Sequence, residues 1–334
     1  VSERLPASTR SISSSVWSVV APFVGLVAVV ALFWVWGRVA KPDAVFLSAF
    51  RMTLIAKQTA IVGVGALGMT VIIAAGGIDL SVGSMLALTS VVLAASLRAG
   101  LDPSIALVCT LGAGVLAGLV NGALVTTLRL VPFIVTLGTM LFYRGLAEEI
   151  SDEKKIQAAA PDWLASLLDP PVEGSAKLVC TGVWIVIVLG VLLAFTLRAS
   201  VFGRHVLALG SNEAAARLCG LPVARIKIAV YSLGGAFMAL AGVFEFDNLN
   251  RQGNPTSGVG LELEVIAAVV IGGGSLNGGR ASVLGSLLGA LMMTTLRSGC
   301  VFAEVPDPVQ KIVIGAIIVG AVAIDHARQR RSER

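Results

Sequence analysis

The sequence predicts an all-α integral membrane protein of about ten transmembrane helices, some broken or re-entrant, with one short helix in a loop between spans. Three observations predict it. Hydrophobic residues make up 56% of the 334 residues and charged residues only 13%, with a mean hydropathy of +0.90, far from the composition of a water-soluble domain. Apolar runs near the roughly 20 residues needed to cross hydrocarbon recur along the whole chain. Glycines interrupt two of these runs, one of them beside a carboxylate, a pattern that breaks a helix at membrane depth.

Taken in order, the apolar windows fall near 16–36, 53–75, 82–98, 105–128, 132–148, 178–197, 226–246, 259–274, 281–298 and 308–325. The first is too long for a signal-peptide core, so it reads as a retained helix. The third and eighth adjoin Gly-rich breaks and are the ones expected to dip into the bilayer. One integral domain, 16–325, lies between an amino-terminal tail, 1–15, and a basic tail, 326–334. In the loop 198–227, Arg198, Arg204, Arg217, Arg225 and Lys227 outnumber one acid, Glu213, and the tail adds Arg328, Arg330, Arg331 and Arg334. The positive-inside rule makes both cytoplasmic, and an even number of spans puts the amino terminus on that side too. The loop 149–177 is then external. So is the loop with Arg38, Lys41 and Arg51, against the rule.

The break at VIIAAGGIDLSVGSMLAL (71–88) is the most informative stretch. A carboxylate in hydrocarbon is expensive unless it caps backbone, pairs or faces a wet cavity. Gly76 and Gly77 free the chain to leave its helix, and Asp79 or Ser81 is expected to cap the helix restarting near Val82. The bland reading is a cap with close packing; the sharper one is a hinge beside a permeation path. A second glycine run, Gly272, Gly273, Gly274, Gly278 and Gly279, marks another break, and VVIGGGSLNGG (269–279) echoes VIIAAGGIDLSVG (71–83). ALVTTLR (123–129) similarly echoes LMMTTLR (291–297), so an internal duplication is expected.

Several chemistries are excluded. No lysine follows a glycine, so no phosphate-binding loop of the G-x-x-x-x-G-K type exists, and H-E-x-x-H and G-x-S-x-G are missing. The basic residues form no patch between aromatics, which argues against nucleic acid. Four scattered cysteines and two histidines offer neither a metal site nor a disulfide framework. The chain reads as a non-enzyme that binds no cofactor or metal and lives among membrane lipid. In ALGSNEAAARLCGLPVARIKIAV (208–230), Asn212 or Ser211 can cap a short helix from Glu213 to Gly220, with Pro222 beyond. Alone it is a loop helix; it also suits docking into a groove on a soluble partner.

GGIDLSVGSMLAL, VPFIVTLGTMLFYRGLA, ALGSNEAAARLCGL and IGGGSLNGGRASVLGSLLGALM together resemble the membrane subunit of bacterial ribose-type ABC importers over roughly residues 50–325. Branched-chain amino-acid permeases share the later portions. The resemblance implies an import permease of the bacterial inner membrane. It implies a second permease subunit, an external solute-binding protein delivering a monosaccharide or polyol, and a cytoplasmic ATPase with tandem nucleotide-binding halves carrying ATP and Mg. It also implies that Asn212, Glu213, Ala214, Ala215, Arg217, Gly220 and Leu221 form the coupling element, although Gly220 lies seven residues after Glu213 where such loops usually have six. Gly76, Gly77, Asp79, Ser81, Asn121 and Thr136 are the expected path-facing residues. Of the other polar residues in the spans, Lys57 and Arg144 are expected to snorkel, and Gln58, Glu245, Asp247 and Asn277 to sit near interfaces or bond neighbouring helices. The competing readings are an ion-coupled secondary transporter, with Asp79 as its ion site, then a branched-chain amino-acid-type ABC permease, and last a membrane-embedded enzyme, for which no nucleophile and base constellation is found.

Overall fold

The computed structural model describes residues 12–41, 45–169 and 179–332. Residues 1–11 and 333–334 of the expected tails, and 170–178 of the loop 149–177, lie outside the described residues. The helices are α1 (Ile12–Ala40), α2 (Ala49–Ala74), α3 (Val82–Arg98), α4 (Pro103–Thr127), α5 (Pro132–Ser151), α6 (Asp162–Ala165), α7 (Thr181–Ala199), α8 (Val201–Ser211), α9 (Glu213–Leu218), α10 (Val223–Asn248), α11 (Leu261–Ile271), α12 (Val283–Phe302) and α13 (Asp307–Ser332). Every apolar window of the sequence holds one of them. Among the described residues, six helices are long and apolar enough to cross a membrane: most of α1, and α2, α4, α7, α10 and α12. The 11-residue α11 rises only about 16 Å at 1.5 Å per residue, too little to span alone. The 17-residue α3 is also short. Both follow the pattern that glycine breaks impose. α13 runs on to Ser332 without a break at the tail boundary.

The axis of the bundle is α2, with 78% of its apolar window buried against 11% for α1. Between helices in lipid the hydrophobic effect offers little, and close backbone approach supplies the dispersion contact instead. The crossing of α4 and α10 shows how tight this is. A Cβ on Gly114 would sit 2.4 Å from the Gly235 carbonyl oxygen, and one on Gly235 2.0 Å from that of Gly114.

At the end of the bundle away from α9, polar contacts fasten the connections. β1 (Ile156–Gln157) pairs antiparallel with β2 (Gln252–Gly253), and the Asp247 carboxylate accepts the Leu168 amide at 2.7 Å. Arg144 does not snorkel as expected: its guanidinium donates to the carbonyls of Pro255 and Ser257, the latter at 2.7 Å. Arg51 lies over the Phe302 ring at 4.5 Å, and Lys41 pairs with Glu304.

Candidate functional site

The break after α2 is held by a buried polar cluster. Asp79 is 1% exposed, and its Oδ1 accepts both the amide and the hydroxyl of Ser81, at 2.8 and 2.6 Å. Asn121, on α4, donates to Asp79 Oδ2 at 3.2 Å and to Ser81 Oγ at 2.9 Å. The Tyr143 hydroxyl, from α5, donates to the Ala117 carbonyl at 2.8 Å and to Asn121 Oδ1 at 3.1 Å. Thr136 accepts the Leu80 amide at 3.1 Å, and the Tyr231 hydroxyl of α10 donates to the Ile78 carbonyl at 3.3 Å. A buried carboxylate needs hydrogen-bond donors, and here its own segment and α4 supply three. The expected cap is corrected: Ser81 occupies the N-cap position of α3 without a side-chain bond to it, and Asp79 bonds Ser81 rather than the first turn of the helix. Asp79, Ser81, Asn121 and Thr136 are thus brought together and fully buried.

Gly76 and Gly77 belong to a second feature, a junction of three chain segments. The Gly279 amide donates to the Ala74 carbonyl at 3.0 Å, tying the turn after α11 to the end of α2. Gly210, near the end of α8, wedges between them: a Cβ there would stand 1.9 Å from the Ala74 oxygen and 2.6 Å from the Gly279 nitrogen. Gly76 and Gly278 both have positive φ, 78° and 84°, and a Cβ on Gly278 would fall 2.8 Å from Gly76 Cα and 2.5 Å from the Gly210 oxygen. Left-handed backbone and absent side chains are both required. Gly77 packs under the Tyr231 hydroxyl, and Gly272 against Gly285 of α12; Gly273 also has positive φ, at 92°, and Gly274 lies on Val269. The two echoed motifs of the sequence therefore meet in space, with Gly210 between them.

One residue beyond α8 lies α9. Asn212 caps it through Oδ1, which accepts the Ala215 amide at 2.9 Å, and Gly220, at φ 79°, reverses the chain after it. Glu213 pairs with Lys227 of α10 at 2.8 Å and with Arg217 at 3.0 Å. Its partial burial works against ionisation, but these two cations outweigh that and hold its carboxyl below the usual carboxylate range. Ala214, Ala215 and Arg217 face outward, and so does Leu218, 90% exposed. Sequence reading passed over Leu218, Tyr143 and Tyr231. Rarity was the signal for the tyrosines: the chain has only two, and Tyr231 ends on the Asp79 segment while Tyr143 ends on Asn121, which bonds Asp79. Among the described residues no group of three or more His, Cys, Asp or Glu could hold a metal ion.

A family model described as the permease component of the branched-chain amino-acid transport system matches residues 51–322. The chain belongs to this permease family. The permease is similar to the ribose import permease protein RbsC of Bacillus subtilis, 36% identical over 92% of each chain. It is also similar to the fructose import permease protein FrcC of Rhizobium meliloti, 39% identical over 84% of this chain and 79% of that one. The autoinducer 2 import system permease protein LsrC of Photorhabdus luminescens is 33% identical over 90% of this chain and 89% of its own. No solved structure matches the permease. The matched residues take in the Asp79 cluster, the glycine junction and α9.

Proposed function

We propose that this permease is the membrane-spanning subunit of an ATP-driven importer that passes a monosaccharide or related polyol inward. The solute is delivered by an extracytoplasmic binding protein, and ATP and Mg are handled by a separate ATPase subunit with tandem nucleotide-binding halves. A second permease subunit, a copy or a paralogue, completes the path. In this reading ten segments enter the membrane, α3 and α11 incompletely, both termini are cytoplasmic, and the loop 149–177 is external.

The single observation that carries the proposal is α9: a short capped helix, ion-paired to α10, with Leu218 standing almost fully in the open. Leu218 is more exposed than any other large hydrophobic side chain among the described residues, and the six-residue α9 is too short to cross the lipid that can cover such side chains on the spans. Asn212, Glu213, Ala214, Ala215, Arg217, Gly220 and Leu221 fix the geometry of this coupling element, and Leu218 supplies its contact. Movement of α9 passes through Asn212 and Ser211 to Gly210, and from there to both helix breaks. Asp79, Ser81 and Asn121, bonded to one another, and Thr136, bonded to the Leu80 amide, then back the path wall as one rigid unit, with Gly76 and Gly77 at the break beside it. Three donors already engage Asp79, two at Oδ1 and one at Oδ2, which disfavours the ion-coupled reading. The test is Leu218→Ser: the ATPase should no longer copurify and uptake should be lost while the permease stays in the membrane. Unchanged copurification and uptake would refute the assignment.

A further inference from the structure

A cavity of about 220 Å³ lies between α2, α10, α11 and α12, walled by Gln58, Glu245, Asn248, Glu264 and Arg297. That is several times the roughly 30 Å³ one water occupies in the liquid, room for a small organic solute. It sits toward the ends of these helices away from α9, where α10 finishes at Asn248 and α11, the helix too short to span, begins at Leu261.

Its chemistry is mixed. Arg297 and Glu264 pair at 2.9 Å, so their charges offset one another. The Glu245 carboxylate accepts the Ser257 hydroxyl at 3.1 Å and the Asn248 amide only at 3.4 Å. The Gln58 amide makes no hydrogen bond among the described residues. Side-chain amides offer a donor and an acceptor together, as vicinal hydroxyls do, while Ile61, Val62 and Leu86 give one apolar wall for the C–H face of a ring. A dicarboxylate would meet two glutamates, and an organic cation would meet Arg297.

We propose that this cavity is a transit site for a polyhydroxylated solute, bound through Gln58, Asn248, Glu245 and the Glu264–Arg297 pair. The proposal rests on the import reading and specifies where within one subunit the solute pauses. The probe is Gln58→Cys in a background with the exposed Cys109 and Cys219 replaced by serine, reacted in nanodiscs with a polar thiol reagent. Millimolar D-ribose or D-fructose should slow labelling severalfold, and L-leucine and succinate should not. In the assembled importer, Gln58→Ala with Asn248→Ala should lower sugar uptake at least fivefold and leave binding-protein-stimulated ATP hydrolysis within twofold. Equal labelling with and without sugar, protection by leucine alone, or unaltered uptake would overturn the site. If the unmutated importer hydrolyses ATP yet moves no sugar, the functional reading fails instead.

Discussion

Replacing Gly210 by alanine probes the junction with the smallest possible change. The added Cβ meets only backbone, 1.9 Å from the Ala74 oxygen and 2.6 Å from the Gly279 nitrogen, so no rotamer change relieves it. Ordinary contact begins near 3.4 Å, and the segments must therefore part by roughly 1.5 Å. Overpacking of this kind costs about 1–3 kcal/mol, and loss of the Gly279 amide bond to Ala74 adds about 1 kcal/mol. Together that is enough to shift an equilibrium between two arrangements by roughly a hundredfold. In proteoliposomes carrying the ATPase and binding protein, Gly210→Ala should retain ATP hydrolysis and lose at least nine-tenths of uptake. Gly112→Ala, whose Cβ meets nothing within 4 Å, serves as the control and should transport normally. Full uptake by Gly210→Ala would refute the route from α9 to the helix breaks.

Asn121→Ala leaves Asp79 Oδ2 and the Tyr143 hydroxyl each short of a partner, and thermal unfolding in detergent should register a loss of about 1–3 kcal/mol. Tyr231→Phe removes a single long bond to the Ile78 carbonyl and should cost no more than about 1 kcal/mol in the same assay. For Glu213 the sign follows from a folded-state pKa held below its ordinary value. Its contribution is in place above the unfolded-state value and is lost as pH falls through the folded one. The stability gap between the wild-type chain and Glu213→Gln should therefore be steady near neutrality and close only below the usual carboxylate range.

Much of the fold was legible because hydrocarbon imposes length: each apolar window holds a helix, and the two windows flagged by glycine runs are the two short helices, α3 and α11. The cap on α9 was legible too, since Asn212 and its first turn are adjacent in sequence. What escaped were contacts joining distant segments. Nothing local to residue 79 announces that Asn121 will come to it from α4, itself held by Tyr143 of α5, and a rule for helix caps directed Asp79 to the wrong amide. The echo between 71–83 and 269–279 became a physical meeting, joined directly by the Gly279 amide on the Ala74 carbonyl and packed by Gly210, which belongs to neither motif. The other echo has no such counterpart: Arg129 lies beyond the end of α4, whereas Arg297 lies within α12 and pairs with Glu264. Leu218 was hidden for a different reason, because an apolar residue in an apolar chain draws no notice until its exposure is known.

The most direct measurement is solute accumulation in sealed proteoliposomes containing the permease with its ATPase and binding protein. ATP supplied on the α9 side should drive uptake of ribose or fructose against its gradient, and uptake should stop when the ATPase is withheld. Accumulation by the permease alone, driven by a proton or sodium gradient, would contradict the account.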